Sequence, residues 1–235
     1  YLSKWYFENS GIKLEDSYDR LEDISLKSDL EIMGGLAHRI KTGIWISRYQ
    51  FRLKITNDEA TIVDIDEPVQ NYSAYIQDTW RISELFEFRP GIRAYFHDVG
   101  DYFMVDPRLA FVYHYDRTKR FKIAAGKYSQ FVHLISFGEG MSNFDIWTPV
   151  DDSIDPSYSN QLVVGFEWDP RDDLQFTTEV YYTDMHKVAN FDYITDRSDE
   201  AADAFIVGEG YAYGWEWMLR KTMGRLTGWA GYALS

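Results

Sequence analysis

The sequence predicts an all-β fold: an antiparallel meander of about ten long strands that cross a membrane. Three observations predict it. Connections between strand-like segments alternate in length. Short ones fall at Met33–Gly35, Ser83–Glu84, Asp116–Lys119, Asp169–Asp173 and Lys221–Arg225, and longer ones at Thr56–Gln70, His97–Phe103, Val132–Ser159 and Lys187–Gly210. A meander puts every second connection on the same rim, so one rim carries tight turns and the other carries loops, as in outer-membrane barrels with short periplasmic turns. The segments are also long: most reach 10 residues or more. A globular strand averages about five or six, whereas a tilted membrane strand needs about 9–11. Finally, side chains alternate in polarity with the period of two that a strand imposes.

The elements follow in order. Residues 1–7 hold the end of a possible extra strand, and 21–32 and 36–55 form the first hairpin. The segment 36–55 exceeds a membrane crossing and should project beyond the loop rim, capped by 56–70, whose Asp58, Glu59, Asp64, Asp66 and Glu67 face no base. Strands 71–82 and 85–97 come next; in the latter Phe86, Phe88, Ile92, Ala94 and Phe96 oppose Glu87, Arg89, Gly91 and Arg93. Strands 104–115 and 119–131 precede the largest loop. In 160–169, Leu162, Val164, Phe166 and Trp168 oppose Gln161, Gly165 and Glu167, with Val163 the exception. In 173–186, Leu174, Phe176, Thr178, Val180 and Tyr182 oppose Gln175, Thr177, Glu179 and Tyr181. Strands 211–221 and 225–235 close the series, with Trp215, Trp217 and Leu219 opposing Gly214, Glu216 and Arg220. Glycine, charge and amide on one face fit a water-filled or plugged interior.

Composition narrows the function. The formal net charge is -14, from 38 acidic and 24 basic residues, so a duplex nucleic acid, which requires a basic footprint, is no expected partner. Cysteine is absent, excluding disulfides and thiolate metal sites. Tyr, Phe and Trp number 18, 15 and 8. Trp80, Phe86, Phe88, Trp168, Tyr181, Tyr182, Trp215, Trp217 and Trp229 sit near strand ends, where a barrel places interfacial girdles; singly, each also fits ordinary packing. No leader peptide and no apolar run long enough for a membrane helix are seen, which leaves a barrel untouched.

No catalytic constellation appears. Gly138-Glu139-Gly140 and Gly34-Gly35 lack the strand-to-helix context of a phosphate loop, and there is no zinc-protease or serine-elbow motif. Asp151/Asp152 and Asp172/Asp173 read as solvated turn acids. No enzyme, cofactor or metal centre is expected.

The large loops are the candidate recognition surface. In 132–159, Glu139, Asp145, Asp151, Asp152 and Asp155 occur without Lys or Arg, beside His133, Phe137, Met141, Phe144, Trp147 and Tyr158. Flat apolar surface with anionic oxygens suits a bulky solute or an organic metal complex. His97 lies at the same rim. In 187–210, Asp192, Asp196, Asp199, Glu200 and Asp203 face only Lys187 and Arg197; loop calcium or plain solvated acids both fit, although the EF-hand spacing is missing. By alternation, Arg89, Arg93, Arg108, His114, Glu167, Glu179, Glu216 and Arg220 line the interior, while His38 and His186 carry no signal.

Four stretches resemble the β-barrel domain of TonB-dependent outer-membrane receptors. YSAYIQDTWRISELFEFRPGIRAYFHD (72–98) resembles a strand pair carrying Gln77, Asp78, Trp80, Pro90, Gly91 and Arg93. DPRLAFVYHYDRTKRFKIAAGKYSQF (106–131) resembles a pair ending in Gly126, Tyr128 and Gln130. DPSYSNQLVVGFEWDP (155–170) resembles re-entry after a large loop, and YAYGWEWMLRKTMGRLTGWAGYALS (211–235) a late hairpin. The likeness covers about 70–235 well, and residues 1–69 fit as generic hairpins.

The resemblance implies a barrel of about 22 strands, of which residues 1–235 supply an interior arc, with the plug domain and closing strand not recognisable. A closed ten-stranded barrel is the alternative, because an open sheet leaves unpaired edges in lipid. The resemblance further implies a Gram-negative outer membrane, interior charges that contact a plug, coupling to TonB through an N-terminal part, and uptake of a scarce solute. A ferric siderophore or other iron complex is the default; oligosaccharide, cobalamin and peptide stay open. The rivals are a passive porin or adhesin-like barrel, with a porin carrying an inward constriction loop, and a secreted β-rich carbohydrate-binding domain.

Overall fold

The computed structural model describes residues 2–5, 18–56, 61–137, 144–151, 154–191 and 205–235. Strands pair wherever alternation runs long. Eleven form one antiparallel sheet: β1 (Leu2–Trp5), β2 (Tyr18–Gly34), β3 (His38–Thr56), β4 (Thr61–Arg81), β5 (Phe86–His97), β6 (Tyr102–His114), β7 (Lys119–Gln130), β10 (Ser157–Arg171), β11 (Leu174–Phe191), β12 (Phe205–Lys221) and β13 (Gly228–Leu234). Neighbours in the sheet are neighbours in sequence except β7 and β10. Between those two, β8 (Val132–Phe137) and β9 (Phe144–Pro149) make a separate hairpin. The expected ten strands are present, and residues 1–7 do contribute a strand at Leu2–Trp5.

The register sorts side chains by face. Leu162, Val164, Phe166 and Trp168 of β10 align with Ala125, Ile123, Phe121 and Lys119 of β7 and with Tyr182, Val180, Thr178 and Phe176 of β11. This apolar face is exposed: Ile24, Leu26, Ile76, Ile92, Leu109, Val164 and Val180 each show 47% or more of their surface. Along β5 it runs from Phe86 to Phe96. At about 3.3 Å per residue and a tilt of about 40° that is ~25 Å, the height of a barrel's hydrocarbon band. Among the described residues the apolar core is small: Phe51, Val69, Val112, Phe131, Val150 and Ile154. A water-soluble sandwich would bury Phe166, Phe176 and Trp217, none of which is buried here.

Three expectations are corrected. The expected loop at 56–70 is mostly strand, since β4 begins at Thr61. Of its acids, Asp66 is a cross-strand partner of Arg52, with Arg52 Nε 3.3 Å from Asp66 Oδ1, while Asp58 and Glu59 lie outside the described residues. Likewise β11 and β12 extend through Phe191 and from Phe205, so the connection expected at 187–210 shortens, and 132–159 contains the β8–β9 hairpin. Two expected girdle residues lie on the polar face: Tyr181 aligns with Val163 and Gly214, and Trp229 with Arg220.

Candidate functional site

The β8–β9 hairpin decides what the loop rim looks like. Its base is closed by Val150 N donating to Phe131 O at 3.0 Å. It then folds over the polar face, with β9 touching β2 and β3 and β8 touching β11. Polar-face residues near the loop rim are buried accordingly: Phe51, Val69 and His97 show 3%, 0% and 0% of their surface. Half of the small core, Phe131, Val150 and Ile154, belongs to the segment that carries this hairpin.

His97 is the hinge of the contact. It ends β5, and its Nε2–H donates to Val150 O at 3.1 Å, leaving Nδ1 buried with no partner. Its ring stacks on Phe131 at 5.2 Å, and Phe131 packs on Tyr95 at 5.4 Å. Burial pushes the His97 pKa below its usual value. His133 of β8 is also buried and its pKa is lowered by desolvation; it bonds the Asp155 backbone, and its Nε2 has no partner.

A polar clasp holds the return segment. Tyr102 Oη of β6 donates to Asp151 O at 3.0 Å and reaches Asp155 Oδ1 at 3.2 Å. Lys187 Nζ lies 2.7 Å from Asp155 Oδ2, and this ion pair holds the Asp155 carboxyl below its ordinary pKa. Lys187 is aimed there by a bulge in β11 between Met185 and Val188, with Lys187 itself in the left-handed region at φ 55. Asp151 Oδ1 accepts from Ile154 N at 2.9 Å, fixing the turn between them. Below, the β6–β7 pairing ends at Arg108–Gly126, and the buried Asp106 bridges the gap to Ser129 N at 2.9 Å and Oγ at 2.7 Å.

Of the predicted loop residues, the structure gathers His97, His133 and Asp151 around the hairpin base. Trp147 sits half-buried in β9, opposite Leu134. Tyr158 lies on the other face of the sheet, stacked on His186 at 4.8 Å. Phe137, Phe144 and Asp145 fall in β8 and β9, with Phe137 opposite Phe144. Glu139, Met141 and Asp152 lie outside the described residues, as do the acids of 192–204. Sequence reading missed Tyr102, Phe131 and Lys187 as parts of this site. Lys187 carried a signal, one of only two cations in an acidic stretch.

The eight predicted interior residues share the polar face in the register: Arg89, Arg93, Arg108, His114, Glu167, Glu179, Glu216 and Arg220. Their neighbours on the same face tie several of them down. Arg120 Nη2 lies 2.9 Å from Glu167 and 2.7 Å from Asp169, and Arg93 stands over Trp45 and Tyr95 at 5.4 and 5.0 Å. A cavity of about 470 Å³ opens among Lys27, Asp29, Trp45, Tyr75, Gln77 and Arg93. Tyr75 Oη crosses Gly43 to reach Asp29 Oδ1 at 2.7 Å, where a Cβ on Gly43 would come within 2.7 Å of the tyrosine ring. Among the described residues no three His or carboxylate side chains converge as a metal ion requires.

The model of the family described as "TonB dependent receptor-like, beta-barrel" matches residues 3–235. The chain belongs to that family. It is therefore a multi-pass β-barrel protein of a Gram-negative outer membrane. Solved structures repeat the fold. The FrpB iron transporter from Neisseria meningitidis is 11% identical with a TM-score of 0.64, covering 92% of this chain and 35% of that one. The siderophore receptor PirA from Pseudomonas aeruginosa is 12% identical with a TM-score of 0.65, covering 89% and 41%. The copper transporter OprC is 16% identical with a TM-score of 0.63, covering 92% and 38%. The chain thus spans well under half the length of these relatives. No curated protein matches it in sequence.

Proposed function

We propose that residues 1–235 form an arc of a closed barrel of about 22 strands in an energy-coupled importer of a scarce solute, a ferric siderophore or another iron complex. The rest of that barrel, a plug inside it and the TonB complex are the partners this reading requires. The observation that carries it is the inward-folded β8–β9 hairpin, which brings His133 to the loop rim and covers His97 there. It makes a part-apolar vestibule on the polar face, where a bulky solute would be held before passage. The names of FrpB and PirA, an iron transporter and a siderophore receptor, support the substrate class. The ligand contacts are assigned to Trp147 and Asp151, with Phe137, Glu139, Met141, Phe144, Asp145 and Asp152 in the same segment, while His97 and His133, buried at the hairpin base, hold that surface in place. The barrel does no covalent chemistry.

The test is binding of ferric chelates to the full-length receptor, with and without residues 132–156. Tight binding that falls by an order of magnitude on deletion supports the proposal; binding unchanged by deletion moves recognition elsewhere. A passive porin is the second reading, favoured by the same inward hairpin. Single-channel conductance of the reconstituted receptor separates the two, since a plugged importer is closed at rest.

A further inference from the structure

The β8–β9 hairpin lies across the polar face as a strap. β9 touches β2 and β3, and β8 touches β11, so one short hairpin reaches from one side of the arc to the other. On the face it crosses, Ser47, Val69 and His97 show 2%, 0% and 0% of their surface. Arg48, the next residue along β3 and on the opposite face, is exposed. Two imidazoles fasten the strap. His97 Nε2–H donates to Val150 O at 3.1 Å, and its ring stacks on Phe131, whose carbonyl closes the hairpin base by accepting from Val150 N. The His133 ring bonds the Asp155 backbone. Each ring thus spends one nitrogen on the closed arrangement. The other nitrogen, Nδ1 of His97 and Nε2 of His133, is buried with no partner.

A proton added to either bare nitrogen makes a buried, charged donor, which is costly unless it is bonded. The titratable groups around His97 are Asp23 on β2, Tyr49 on β3, Tyr95 on its own strand, Tyr102 and Asp106 on β6, and Asp98 beside it. Asp23 accepts from Ser25, Asp106 from Ser129, and Asp98 from Gln70 N, while Tyr102 donates to Asp151 O. Burial lowers the pKa of His97 more than the Asp98 charge raises it. Around His133, Asp155 is paired with Lys187, and Asp151 accepts from Ile154 N. Burial holds His133 below the ordinary range as well. The open state therefore takes up a proton first, and acid favours opening.

We propose that the β8–β9 strap is a proton-released cover: neutral His97 and His133 hold it against the wall, and a proton taken up by either one lifts it and opens the space beneath. The long connections mark the outer rim, so the acidity of the external medium sets the state of the cover. The proposal rests on the preceding reading only in taking that space as the solute's vestibule.

The test places a single cysteine at Val69, or at Ser47, in the full-length receptor reconstituted in lipid, and one at Arg48 as the exposed control; residues 1–235 supply no other thiol. A membrane-impermeant thiol reagent is applied at pH 7.5 and 5.5, and the covered-site rate is divided by the control rate at each pH. The ratio should rise on acidification by up to about tenfold per histidine, the limit that linkage sets one unit below the ordinary pKa. His97→Gln and His133→Gln, which keep an amide donor and take no proton, should each remove part of the rise and together all of it. Asp155→Asn should leave the rise in place, because that carboxyl titrates below the usual carboxylate range. An equal ratio at both pH values overturns the proposal, as does a double variant that still responds. So does a ratio that falls with acid, the result expected if protonated His97 bonds the buried, unpartnered Oδ1 of Asn71 opposite it. If the double variant is already open at pH 7.5, the single variants decide, and a full rise in both overturns the proposal. Labelling needs no solute, so its failure is separate from a failure of ferric chelate binding.

Discussion

The membrane-spanning part of the sheet and the part above it obey different rules. In the lower part, lipid dictates one face and most apolar side chains point at it, so little is buried by the protein itself. In the upper part both faces meet water, and apolar residues gain only where the β8–β9 hairpin folds over them. The contrast teaches that stability here comes from two solvents. Val164 is exposed in the chain yet would be satisfied by hydrocarbon, whereas Val150 needs the roof built by its own segment.

Phe131→Ala should produce the largest change. Phe131 carries His97 on one side and Tyr95 on the other, and deleting a buried Phe costs about 3–5 kcal/mol. The loss should be local: amide exchange in 144–157 accelerates while β10 and β11 stay protected. Equal loss in both regions would erase the distinction drawn above.

Val164→Arg sharpens the other side. It lies mid-band on the apolar face, where an arginine costs about 2–4 kcal/mol. Val163→Arg, one residue away and facing the polar side, should cost much less. Folding yield into lipid vesicles measures both.

Acidification should separate the regions without mutation. His97 and His133 are held neutral, with folded pKa values below the usual 6.5. The unfolded segment therefore takes up protons first, and hairpin stability declines as pH falls below about 6.5. Asp155 adds to the same trend at lower pH, because its depressed pKa makes its ion pair stabilising only above that range. Exchange in β8 and β9 should rise between pH 7.5 and 5.5, and Phe substitutions at both histidines should flatten the profile.

Lys187→Met is the smallest effect. Its ion pair with Asp155 is about half exposed on both sides, so the loss should be under ~1 kcal/mol. It should appear as a slightly faster hairpin exchange at pH 7.

The sheet was readable in sequence because lipid and water on opposite faces stamp a period of two on β5, β10, β11 and β12. The pattern fades where the outward face meets water. Asp66, opposite Arg52, reads as a loop acid because nothing local reveals its cross-strand partner. The site was readable in part. His97, His133 and Asp151 stood out by type and position, but their meeting depends on the hairpin folding inward, a long-range event fixed by Phe131, Val150 and Ile154. Tyr158 shows the limit of reading by segment: it belongs to the right stretch and faces away.

Nitroxide labels placed one at a time from Gln161 to Trp168 in the full-length receptor, reconstituted in lipid, test the account most directly. Positions 162, 164, 166 and 168 should be accessible to oxygen dissolved in the bilayer, and 161, 163, 165 and 167 shielded from it, with a strict period of two. A flat profile, or greater oxygen access at 163 and 165 than at 164, would contradict the lipid-facing assignment.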